Sequence, residues 1–116
     1  MGTMIQSAGL GESDYRGVRF QDFVFAIQCT ATGQAWVGCS RHVDTEQNGL
    51  WFTLRLGSSP FASLQTAWTA NGPIAFRFQE LDRLKPDYPA IGRAAELKSR
   101  QALWALRLQA EPLPFA

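Results

Sequence analysis

What this sequence has little of narrows the reading first. Its 116 residues hold one histidine and two cysteines. Two thiols, Cys29 and Cys39, do not make a disulfide framework. With His42 alone and no second cysteine pair, a zinc-finger type of ligand set is excluded. The net formal charge is +1, so no overall basic field draws in nucleic acid, and any such contact has to be a local patch. No run approaches the roughly 18 apolar residues of a membrane span. The opening residues MGTMIQSAGLGESDY lack the basic start and apolar stretch of a signal peptide. A cytoplasmic location without membrane contact is therefore expected. There is no glycine-rich phosphate loop and no dinucleotide fingerprint, and nothing positions a Ser-His-Asp triad.

What remains is a folded chain. Hydrophobic residues make up 46%, which is outside the range of disordered chains, and the length suits one domain with a small core. Residues 1–19, rich in glycine and small polar side chains, read as a flexible leader, residues 20–109 as the packed domain and residues 110–116 as a tail.

Residues 23–29 (FVFAIQC) and 34–39 (QAWVGC) read as two strands around a tight Thr32-Gly33 turn, with Gly33 supplying the positive φ. A turn centred there sets Cys29 opposite Trp36 and Cys39 three rows further along, too far to bridge at roughly 3.3 Å per residue. Free buried thiols are expected. Asp44 with Gln47 fits a capping box. Val43, Gln47, Leu50, Trp51 and Leu54 keep helical spacing up to a stop at Gly57, with Asn48-Gly49 a weak point inside. Ser59-Pro60 reads as the start of a second helix with the stripe Phe61, Leu64, Ala67 and Trp68, ended by Asn71-Gly72-Pro73. Residues 74–81 alternate as a third strand, with Ile74, Phe76, Phe78 and Glu80 on one side. A last helix is expected over residues 92–109, with Leu97, Gln101, Trp104 and Leu108 on one face. The order β-β-α-α-β-α predicts an α+β fold, a small three-stranded antiparallel sheet flanked by helices.

This order and several local strings resemble the GIY-YIG endonuclease family. Phe23-Val24-Phe25 stands where that family has Gly-Ile-Tyr, and Trp36-Val37-Gly38 where it has Tyr-Ile-Gly. Gly38-Cys39-Ser40-Arg41, then Leu64-Gln65 through Trp68, Asn71-Gly72 and Phe76-Arg77-Phe78, and finally Leu97 through Trp104, extend the resemblance over most of the chain. It implies a nuclease in which a carboxylate holds Mg²⁺, a tyrosine hydroxyl helps activate water and an arginine stabilises the phosphate transition state. Carried over position by position, the two tyrosines match Phe25 and Trp36, the helix arginine matches Glu46 and the metal-binding glutamate matches Gln101. Phenyl and indole cannot act as a base, Glu46 would repel phosphate, and an amide is a poor ligand for a hard dication. The resemblance thus implies a small stand-alone bacterial member without a catalytic set and without a cofactor. It would bind DNA weakly, or a protein partner or a second copy, through the former active-site face.

The residues themselves leave alternatives. Phe25 and Trp36 share a sheet face by hairpin parity, as a core face or as a remnant aromatic pocket. Gln101 is either a polar relic lining a cleft or an amide bonded to backbone. Arg41, His42 and Arg55, with Arg77 or Arg100, are the candidate phosphate contacts; a mixed, solvated charged face is the other reading. Cys39 and His42 form C-x-x-H, which one histidine cannot extend into a metal site. Trp51, Trp68 and Trp104 are expected in the core. An active nuclease with a rearranged Mg²⁺ site would have to draw on Asp44, Glu46 or Glu96.

Overall fold

The structure, a computed structural model, describes residues 21–114, so the leader expected over 1–19 lies outside the described residues. Strand β1 (Phe23–Cys29) and strand β2 (Ala35–Ser40) form the antiparallel hairpin. Helix α1 (Glu46–Leu56), helix α2 (Ala62–Asn71), strand β3 (Phe76–Arg83), helix α3 (Arg93–Leu108) and strand β4 (Glu111–Pro112) follow. The sheet order is β3-β1-β2-β4, with β4 parallel to β2. The α+β class stands, and the sheet is four-stranded and mixed rather than three-stranded and antiparallel.

β1 is central, and its run FVFAI is apolar without alternation because both of its faces are covered. Phe23, Phe25, Ile27 and Cys29 face α1 and α2, packing with Trp36, Leu54, Leu64, Trp68 and Phe76. Val24 and Ala26 face α3, packing with Val37, Leu84, Leu97 and Ala105. Each large side chain buried this way contributes about 1.5–3 kcal/mol. Trp68 is buried, while Trp51 and Trp104 lie half-buried against one or the other cluster, as expected of core residues. Among the described residues no helix is long and apolar enough to cross a membrane.

Several local expectations are corrected. The hairpin loop is longer than a two-residue turn: Cys29 N–H donates to Gln34 O at 2.9 Å, and Gly33, at φ 81°, donates to Cys29 O at 2.8 Å. Trp36 therefore pairs with Ile27, not Cys29, and Cys39 pairs with Val24. A shift of two residues keeps parity, so Phe25 and Trp36 still share a face and the two thiols still do not bridge. Cys29 is buried, whereas Cys39 is only half-buried.

The first helix does not take Asp44 as its cap position. α1 starts at Glu46, its cap position Thr45 makes no side-chain cap bond, and the helix runs through Asn48-Gly49 to Gly57 unbroken. Gln47 is exposed. α2 starts at Ala62; Ser59 Oγ instead accepts the Phe61 N–H at 3.2 Å, just ahead of it. Pro73–Ala75 form one 3-10 turn, which throws Ile74 out to 87% exposure and delays β3 to Phe76. Phe25 pairs with Glu80 and Val24 with Asp82, leaving Leu81 as a bulge that breaks the alternation.

Candidate functional site

The free edge of β2 beyond Val37 borders a cavity of about 460 Å³. Phe25, Gly38 and Leu113 wall one side; Cys39, Leu97 and the Asp22–Arg93 pair wall the other; Arg41, His42 and Glu46 form its rim. Three of the candidate residues, Arg41, His42 and Glu46, are thus brought together with Phe25. Trp36 lies beneath, fully buried. Gln101 opens instead onto a second cavity of about 900 Å³, and Leu113 and Pro114 line both.

Each position matched to a catalytic residue holds part of the fold. Phe25, 2% exposed, stacks on Phe78 with ring centroids 5.0 Å apart. Trp36 Nε1 donates to Ser63 Oγ at 3.1 Å, and Ser63 Oγ donates to Glu111 Oε1 at 2.9 Å. Glu46 accepts from Ser40 Oγ at 2.6 Å and stands in the first turn of α1, where the helix dipole favours a carboxylate. Gln101, 3% exposed, donates from Nε2 to both Val37 O and Leu113 O at 2.8 Å. The Phe25–Trp36 face is therefore core, and Gln101 is an amide bonded to backbone.

Gly38 shows why this strand carries glycine. A Cβ there would stand 2.6 Å from Phe25 Cζ and 3.1 Å from Leu113 Cδ1, so the phenyl ring fills the space over the strand.

The electrostatics are mixed. Asp22 is buried and pairs with Arg93 at 2.9 Å across the start of β1 and of α3. Arg93 also donates to Tyr88 O. The Cys39 thiol is pushed up to about 12, chiefly by burial and then by the negative charges of Asp22 and Glu46. It stays protonated and donates to Gln101 Oε1 at 3.7 Å, which leaves no thiolate for a pair with His42.

The remaining basic candidates point elsewhere. Arg55 lies nine residues after Glu46 on α1, close to 180° around the helix, and does not line the cavity. Arg77 donates to Ile74 O and Phe76 O, and Arg100 pairs with Glu96 and Asp82. Glu96 is engaged by Arg100 at 2.7 Å, and among the described residues no three His, Cys, Asp or Glu side chains converge as metal ligands. Sequence reasoning missed Asp22, Arg93 and Leu113. The first two are 71 positions apart and carry no local signal, whereas Leu113 was marked by the prolines on either side of it.

No protein-family model and no curated protein sequence matches the chain. Solved structures do. A mutant of the catalytic domain of intron endonuclease I-TevI is similar with a TM-score of 0.64 at 16% identity, covering 77% of this chain and 84% of that one. The catalytic domain of homing endonuclease I-TevI is similar with a TM-score of 0.64 at 15% identity, covering 81% of this chain and 99% of that one. The chain shares the GIY-YIG-like fold of that domain.

Proposed function

We propose that this is a non-cleaving GIY-YIG-like domain, filled at positions 25, 36, 46 and 101, that binds a protein segment at the edge of β2 beside them. One observation carries the reading. The four side chains at these positions are spent on packing and hydrogen bonds, and two of them, Trp36 and Gln101, reach the chain's own segment Glu111–Pro114, directly or through Ser63. A phenyl, an indole and an amide supply no base and no good ligand for a hard dication, and Glu46, the one carboxylate of the four, brings a negative charge where the family has its arginine. The cavity beside them is lined by Phe25, Leu97 and Leu113 together with the Asp22–Arg93 pair, and Arg41, His42 and Glu46 stand at its rim, a mixture suited to polypeptide.

A second reading, weak binding of DNA, is favoured by Arg41 and His42 on the rim and by the likeness to an endonuclease domain. One set of measurements separates the readings. Labelled duplex, single-stranded and branched DNA are incubated with the chain in Mg²⁺ and in Mn²⁺, and anisotropy is followed at low and moderate salt. The proposal expects intact DNA and no anisotropy change at tens of micromolar protein. Binding that falls steeply with salt would establish phosphate contacts and the second reading. Cleavage that depends on metal and is lost in Glu46→Ala would establish a rearranged active site.

A further inference from the structure

The segment Glu111–Pro114 lies along β2 as a bound peptide lies along a sheet edge. We propose that this edge groove is a docking site for an extended peptide of the pattern acidic-Pro-Leu-Pro, filled in cis by residues 111–114 and open in trans to a protein segment of that pattern. The proposal rests on the protein-binding reading of this face and names what it binds.

The groove recognises the segment at four points. The main chain adds in parallel, with Glu111 beside Trp36 and Pro112 beside Val37, and Leu113 N–H donates to Val37 O at 2.8 Å. The Gln101 amide takes the Leu113 carbonyl at 2.8 Å from a position 97% buried, so the site itself holds a donor aimed at peptide backbone. The Leu113 side chain, 4% exposed, is the anchor, and the absent Cβ of Gly38 leaves room for its Cδ1. Ser63 Oγ donates to the Glu111 carboxylate, which selects the acid. The prolines on either side of Leu113 hold φ near its extended value, which lowers the entropy lost on docking.

The same segment is built to leave. β4 pairs through Glu111 and Pro112 alone, and Glu111, Pro112 and Pro114 are exposed around the single buried anchor. It is joined to α3 through Gln109, whose φ of 52° makes it the one non-glycine residue in the left-handed region among the described residues. Leu113 and Pro114 are also the wall between the two cavities of about 460 and 900 Å³. Lifting them joins Phe25, Cys39 and Gln101 into one groove. Tethering through the two residues 109 and 110 gives the cis segment a local concentration of order millimolar, so a trans peptide competes poorly until the cis anchor is weakened.

The test is anisotropy of a labelled peptide Gln-Ala-Glu-Pro-Leu-Pro-Phe-Ala titrated with the full chain. Leu113→Ala, checked for folding by circular dichroism, is expected to bind it at least tenfold more tightly than the unsubstituted chain. A peptide with aspartate in place of its leucine is expected not to bind either. A folded Leu113→Ala that binds no better than the parent overturns the proposal. Native-state hydrogen exchange of the unsubstituted chain decides the matter where that variant does not fold. The Leu113 amide is expected to exchange at least tenfold faster than that of Ile27 in β1, by local opening. Exchange of both at one rate, through global unfolding, overturns the proposal. DNA cleavage by the chain would sink the functional reading on separate data, while a failed peptide titration with intact DNA sinks this proposal alone.

Discussion

Gln101 Nε2 donates to the Leu113 carbonyl and to the Val37 carbonyl, each at 2.8 Å, so one buried amide clamps the residue that follows β4 to β2. A glutamate in the same place has no hydrogen to give and would set a carboxylate against two carbonyl oxygens. Gln101→Glu is expected to destabilise the fold by about 2–4 kcal/mol at neutral pH. Burial and the facing carbonyls raise the carboxyl pKa of that variant in the folded state above its unfolded value. Its deficit therefore shrinks as pH falls from the folded pKa toward the unfolded one, loses its electrostatic part below that, and is complete once pH rises through the folded pKa. Urea unfolding at pH 4 and pH 7 checks this; equal stability to the parent at both would contradict it.

Ser63 mediates between Trp36 and Glu111, and its two partners differ in burial. Trp36 is fully buried, so removing the Ser63 hydroxyl leaves an indole N–H without a partner in the core. Glu111 is exposed and exchanges its bond for water. Ser63→Ala is expected to cost about 1–3 kcal/mol, and Glu111→Ala under about 1 kcal/mol. Chemical denaturation of the two variants orders them; equal losses would mean that the indole is not held through Ser63.

The parts of this molecule legible in its sequence are those set by period and by punctuation. The Phe25–Trp36 face was readable because side-chain parity has period two, and the longer loop moved the register by two residues without changing the face. Gly57 and Asn71-Gly72-Pro73 ended their helices because nothing in the tertiary structure competes with such stops. Helix starts were less readable. Asp44 and Ser59 had the right chemistry for caps, but the chain turns onward and begins its helices at Glu46 and Ala62. The prolines around Leu113 correctly excluded helix, yet the partner of β4 is set by Gln101 and Val37, far away in sequence. The pairing of buried Asp22 with half-buried Arg93 and the bulge at Leu81 likewise depend on contacts that no local pattern encodes.

Gly38 is a packing requirement before it is a motif. The clash of an added Cβ falls on the Phe25 ring, which Phe23 and Phe78 hold at centroid distances of 5.6 and 5.0 Å. Gly38→Ala is expected to destabilise by about 1–3 kcal/mol through overpacking. Phe25→Leu removes the obstructing ring atoms, so the double variant should lose less than the sum of the two single losses. A double-mutant cycle measures the difference, and a coupling energy indistinguishable from zero would place the strain elsewhere.

Cys39 gives the fold an alkaline limit. In the folded chain its thiol holds its proton up to about 12, against 9.0 for an unperturbed thiol. Between those values the unfolded chain has released a proton that the folded chain still binds, so rising pH draws the equilibrium toward unfolding. Stability is unaffected by this group below about pH 9 and falls from there toward pH 12. Cys39 is only half-buried, so solvent screening softens the slope. Cys39→Ala is expected to remove this component, making the loss of stability between pH 9 and pH 11 smaller than in the parent, with every other group common to both chains. Alkylation by iodoacetamide at pH 9 provides the independent check. Cys39 in the folded chain is expected to react at least tenfold more slowly than a free thiol, and in urea at the free-thiol rate. Fast alkylation under native conditions would show that Asp22, Glu46 and burial do not hold the proton in place.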